Sequence, residues 1–171
     1  MTWTAPEVKR TPGSRVAGER EMLTGYLAWF RHSLLHKCAG LTGEQLAEQT
    51  VPPSNLTLLG LIRHMAKVER VWFRERFAGE AFDPMYDPEK GKDADFEDLD
   101  PARAAEDHAR LVEECRLADE IVASASLDDT FVHGGEECSL RMIHLHMITE
   151  YARHTGHADL VRERVDGATG W

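Results

Sequence analysis

Two stretches of the chain carry residue types that can do chemistry at a useful spacing. In "RMIHLHMITEYARHTGHADL", Glu150, His154 and His157 recur at the interval of one helical face. In "LTLLGLIRHMAKVERVW", His64 falls in step with Leu61, Val68, Val71 and Trp72. A helix turns about 100° per residue, so Glu150, His154, His157 and Val161 fall in one narrow sector. Ile143, Met147 and Ala158 lie in or beside that sector, and His146 lies at its edge. A carboxylate on an apolar stripe is costly unless it is paired or binds a metal. His64 from one helix and Glu150 with His154 from another make three ligands. Catalytic metal sites use that number to leave a position open for water or substrate. Nitrogen and oxygen donors without thiolate suit Zn, Ni, Co or Fe. Each part has a plainer reading: His64 alone as a core histidine, Glu150 with His154 as a helix-surface pair. Their conjunction on two core-facing stripes is what points to a divalent metal. His157 is expected to orient a ligand or steer a proton, and His146 to be structural.

Other chemistries are poorly supplied. The sequence has no G-x-S-x-G, P-loop, G-x-G-x-x-G or H-E-x-x-H. Cys38, Cys115 and Cys138 are odd in number and widely spaced, without C-x-x-C, which argues for reduced thiols. Cys138, near the start of the last helix, lacks an assigned base partner. His32, His36, His108, His133 and His144 read as surface or boundary residues. Arg63 and Arg153 flank the ligands in sequence, but their helix angles point them away.

Four amphipathic helices must position these groups. The first runs from about 18 to 38, and a short turn and Pro52–Pro53 follow. The second starts at a cap on Ser54 or Asn55 and ends at Gly79. The third begins near Pro101. The fourth is capped by Ser139 and ends near Gly167. The acidic segment 80–100 lacks the glycine and closing glutamate of an EF-hand and is expected to be a solvated connection. Segment 127–138 reads as a loop with a short extended piece. The fold expected is all-α, a four-helix bundle with uneven loops: an N-terminal arm over 1–14 and a single domain over 15–171.

With 171 residues and 42% hydrophobic content, the chain suffices for one sizeable core. A net charge of −10 and a pI of about 5.3 argue against nucleic acid and anionic membrane partners. No membrane span or signal peptide is legible, so the expected location is the cytoplasm. Aromatic residues on the long helices make a homodimer an expectation.

The motifs "SNLTLLGLIRHMAKVERVWFRE" and "SLRMIHLHMITEYARHTGHADLVRERVDGATG" resemble the DinB/YfiT-like superfamily of metal-binding four-helix bundles. They cover about a third of the chain. Many members use a histidine on the second helix and H-x-x-x-H on the last. His64 and His154 match that pattern, while Glu150 replaces the remaining histidine. That His/Glu/His set looks like the actinobacterial mycothiol-dependent maleylpyruvate isomerases, and His157 stands where many members have glutamine. The resemblance implies a metal-dependent transferase or isomerase using a low-molecular-weight thiol, mycothiol above all, with Zn as the expected ion. The thiol would attack an electrophilic small molecule. The alternative is a non-catalytic metal- or ligand-binding bundle.

Overall fold

Apolar stripes interrupted by proline, glycine and acidic turns dictate a chain of helices. The computed structural model describes residues 2–91 and 93–170. Helix α1 spans Glu19–Cys38, with Glu19 and Glu21 in its first turn and His36 and Lys37 in its last, as the helix dipole favours. Helix α2 is one turn, Gly43–Leu46, opened by a reciprocal capping box between Thr42 and Gln45. Helix α3, Leu58–Glu69, continues without a break as a π-helix over Arg70–Phe77. Helix α4 is another single turn, Ala94–Glu97. A 3₁₀ turn, Pro101–Arg103, leads into α5, Ala104–Val122. An antiparallel hairpin follows, β1 Thr130–His133 against β2 Glu136–Ser139, with Thr130 opposite Ser139. Helix α6, Leu140–Asp166, is capped by Ser139, whose hydroxyl accepts from Met142 N at 3.2 Å. It ends at Gly167, where a φ of 79° turns the chain left-handed.

The four long helices form the bundle. α1 lies chiefly against α6, α3 against α5, and α3 also meets α6. One apolar core runs through them, from Leu27 and Leu34 through Leu61, Met65 and Leu111 to Met147 and Val161. The arm is laid onto this bundle. Ala5 N donates to Leu41 O at 2.9 Å, and Ala5 O accepts from Gly40 N at 2.8 Å. Ala5 is buried, and Trp3 packs edge-on against His108.

Several sequence expectations change. The cap of α3 is Thr57, not Ser54 or Asn55. Thr57 Oγ1 accepts from Gly60 N at 2.9 Å, while Ser54 accepts from Leu56 N and Asn55 reaches across to Glu97. The segment 80–100 is not merely a solvated connection. Its α4 turn is buried at Ala94 and Asp95, and Arg63 grips the carbonyls of both. The guanidinium of Arg63 also pairs with Asp107 and stacks on Tyr86. Gly60 is where α4 comes closest: a Cβ there would sit 2.9 Å from the Phe96 ring. His108 and His144 are buried rather than at the boundary, and burial lowers the pKa of both.

The core also holds an ionic knot. Arg31 of α1 donates twice to Glu69 of α3, each bond 2.7 Å long, and Tyr151 of α6 donates to Glu69 Oε1 at 2.8 Å. Arg31 reaches Asp119 of α5 as well. All four long helices thus meet at one buried ionic cluster.

Candidate metal centre

The ligand candidates come from two helices that face each other. His64 stands on α3 one residue past the buried Leu61–Ile62–Arg63 run, at the margin of the core. Glu150 and His154 stand one turn apart on α6. The α6 stripe that carries them also buries Ile143, Met147, Ala158 and Val161, which fixes the helix rotation. One ligand atom from each of His64, Glu150 and His154 lies within 4.8 Å of the other two. The two imidazole centroids are 4.7 Å apart, and Glu150 Oε2 is 3.4 Å from His154 Nε2. The cluster is buried on the His154 side and partly open at Glu150, whose side chain is 23% exposed. A ligand or substrate has access from that side.

The surroundings set the tautomers. His64 Nδ1 lies 2.8 Å from Asp95 Oδ2. A carboxylate only accepts, so the Nδ1 proton points at Asp95 and Nε2 is left as a lone pair. Burial works against the Asp95 charge, but hydrogen bonds from His64 and Lys67 outweigh it and hold the carboxyl below its usual range. Metal-binding histidines are commonly oriented by such a carboxylate. Asp95 Oδ1 is buried without a partner, so the carboxylate's second oxygen is not neutralised from elsewhere.

On the other side, His157 Nδ1 lies 3.3 Å from His154 Nδ1. His157 is therefore not in the ligand cluster; it stands behind His154. Burial first, then the nearby His64, pushes the His154 pKa down to about 4, so its imidazole is neutral at pH 7. Two imidazole nitrogens and a carboxylate oxygen converge within 4.8 Å of one another, a set of ligand atoms that suits a cation. The donor chemistry and the convergence both fit a divalent metal ion.

The remaining sequence candidates separate from this cluster. His146 packs on Trp72 with ring centroids 4.2 Å apart, one turn before Glu150. Arg63 is turned away and structural, as its helix angle implied. Cys138 lies on β2, ahead of the α6 cap. Burial pushes the Cys38 thiol up to about 12 and raises Cys115 as well, so neither is poised as a nucleophile. Asp95 is the residue that sequence reasoning missed. Its signal was slight: an aspartate between Ala94 and Phe96, in a stretch dominated by exposed acids.

A cavity of about 550 Å³ lies on the far side of Asp95 from His64, and none of the three ligand candidates lines it. The π-helical segment and the 82–95 loop enclose it, and Lys67, Arg70, Glu75, Phe82, Tyr86 and Asp95 line its walls. Asp95 thus faces both the cavity and His64. A larger depression of about 890 Å³ under the arm, between α1 and α5, shares no residue with the cluster or with this loop.

No curated protein and no solved structure matches the chain. The family model described as mycothiol-S-transferase matches residues 22–167, which takes in the long helices from the second turn of α1 onward, the α4 turn and every ligand candidate. A match over that much of the sequence places it: the chain belongs to the mycothiol S-transferase family.

Proposed function

We propose that this protein is a divalent-metal-dependent S-transferase, which activates mycothiol at His64, Glu150 and His154 for attack on an electrophilic small molecule. The observation that carries the reading is the convergence of one ligand atom from each of those three residues within 4.8 Å of one another, with Asp95, the partner of His64, lining a cavity. Zn is the expected ion, and Ni, Co and Fe(II) satisfy the same donor set. A divalent cation held there supplies positive charge that lowers the pKa of a thiol beside it.

The chain's own groups do the rest. Asp95 keeps the His64 proton on Nδ1 and the ring in one orientation. His157 meets His154 Nδ1 to Nδ1 and is the group placed to relay a proton from it. Glu150, on the open side, adds a negative charge that balances the cation. The cavity volume falls within the roughly 300–1,000 Å³ typical of small-molecule sites. Its mix of aromatic faces with Lys67, Arg70 and carboxylates suits a polyhydroxylated thiol, whose sugar face stacks and whose hydroxyls bond.

The deciding experiment pairs metal analysis with thiol consumption. Untagged protein and the Glu150→Ala/His154→Ala double variant are assayed for bound metal, then for loss of mycothiol in the presence of 1-chloro-2,4-dinitrobenzene. Near-stoichiometric metal and metal-dependent thiol loss, both abolished in the double variant, are expected. A wild type that takes up none of Zn, Ni, Co or Fe(II) would overturn the reading. Stoichiometric metal without thiol consumption across a panel of electrophiles would leave a metal-binding bundle instead.

A further inference from the structure

The π-helix changes which charge faces α6. In an unbroken α-helix, Glu75 would stand about 20° from His64 and Arg76 about 120° away. Hydrogen bonds of the i→i+5 type widen each turn, which delays the face by about one residue. The structure shows the result. Glu75 lines the loop-side cavity, while Arg76 lies over the Trp72 indole, 4.0 Å from its centroid. His146 of α6 packs on the same indole at 4.2 Å, and His133 of the hairpin at 5.5 Å. His146 stands one helical turn before Glu150 on α6, within electrostatic reach of both Arg76 and Glu150.

Arg76 differs from its neighbours. Arg63 pairs with Asp107, Arg70 with Glu114, and Arg74 with both Glu80 and Glu114. Among the described residues Arg76 has no ion pair and no hydrogen bond, although it is half-buried and burial works against its charge. In a chain of net charge −10, acidic groups are plentiful, yet none of the described carboxylates forms an ion pair with this guanidinium, and its sequence neighbour Glu75 acts on it only through space. Stacking on Trp72 holds its fork flat and preset, the arrangement in which arginine takes a carboxylate with two parallel bonds.

We propose that Trp72, Arg76 and His146 form a specificity subsite for an acid group carried by the electrophile. Trp72 is eight residues beyond His64, about 12 Å along the helix axis. The substrate class is therefore an elongated anionic electrophile, with its reacting carbon at the ligand cluster and its carboxylate on Arg76. The thiol sulfur sits at the same cluster, where it meets that carbon. This inference rests on the S-transfer reading for its substrate and on the Trp72–Arg76–His146 geometry for its site.

The test uses 6-(chloroacetamido)hexanoate and its methyl ester with mycothiol and the Zn-loaded protein. The thiol sulfur forms a bond to the chloromethyl carbon, the carbon–chlorine bond breaks, chloride leaves, and the thiol proton passes to solvent. The expected result is a kcat/KM for the acid about tenfold or more above that for the ester, the scale of a charge-assisted bidentate contact. In Arg76→Gln the acid should lose that advantage through KM, while the ester rate is unchanged. Equal rates for acid and ester in the wild type, or an equal loss for both in the variant, overturn the proposal.

A second arm does not need turnover. Unreactive 6-acetamidohexanoate is titrated into the protein, and the Trp72 indole N–H resonance, assigned from Trp72→Phe, is followed by NMR. A saturable shift that Arg76→Gln abolishes supports the subsite even if no electrophile reacts, in which case only the S-transfer reading fails. No shift in the wild type sinks the subsite whatever the rates show.

Discussion

At the scale of single residues, the candidate centre depends on which nitrogen of each histidine carries a proton. Asp95 decides this for His64 from a distance of 2.8 Å. Asp95→Asn keeps the shape but removes the negative charge that makes the ring a better donor. Metal affinity should fall by about 10- to 100-fold, the usual effect of losing such a partner. Competition against a chromophoric chelator reads it directly. An unchanged affinity would mean that Asp95 serves only to seat the α4 turn. His157 meets His154 from one turn further along α6, Nδ1 to Nδ1 at 3.3 Å. His64, Glu150 and His154 were legible because three polar groups fell on apolar stripes. Asp95 was not, since a carboxylate in an acidic loop has no periodicity to betray that it is buried.

At the scale of elements, Glu69 couples the helices that carry the ligands. It accepts from Arg31 and Tyr151, so it pins α1 and α6 to α3 just before the π-helix begins. Glu69→Ala leaves the Arg31 charge buried with only Asp119 to answer it. The cost should be about 3–5 kcal/mol of stability, read by urea unfolding. Glu69→Gln should lose less, because one oxygen still accepts. A loss below about 1 kcal/mol for the alanine variant would show that the knot contributes little. Arg31 and Glu69 lie on the buried stripes Leu27–Arg31–Leu34 and Met65–Glu69–Phe73. Two opposite charges on facing apolar stripes are a sequence signal of the same kind as His64. The π-helix has no such signal, because its residues suit an α-helix as well.

At the scale of the whole molecule, acid should loosen the metal-free protein. His108, His144 and His154 are all buried and held below the ordinary histidine pKa, His154 to about 4. The unfolded chain takes up protons near 6.5, where the folded one does not. Stability is therefore full above about pH 6.5 and falls as the pH drops from there towards about 4. Urea midpoints of the metal-free protein at pH 7.5 and 5.0 should differ in that direction. His154→Gln, which cannot take up that proton, should show a smaller difference. Equal slopes for the two proteins would remove His154 as a contributor. No helix among the described residues is long and apolar enough to cross a membrane. The large exposed apolar side chains, such as Tyr26, Leu145 and Leu160, are scattered, while Trp72, Phe73 and Phe77 pack inward.

The sequence by itself determined the four long helices, the last helix's cap at Ser139 and stop at Gly167, and the two stripes that carry His64, Glu150 and His154. Those features are local: helical periodicity, a capping hydroxyl and a glycine's left-handed freedom act within a few residues. Only the tertiary structure decided that Asp95 reaches His64, that the arm lies along the bundle and that Arg76 turns towards α6. These depend on contacts between segments far apart in the chain, or on a change of helical pitch. Periodicity in one segment cannot encode either.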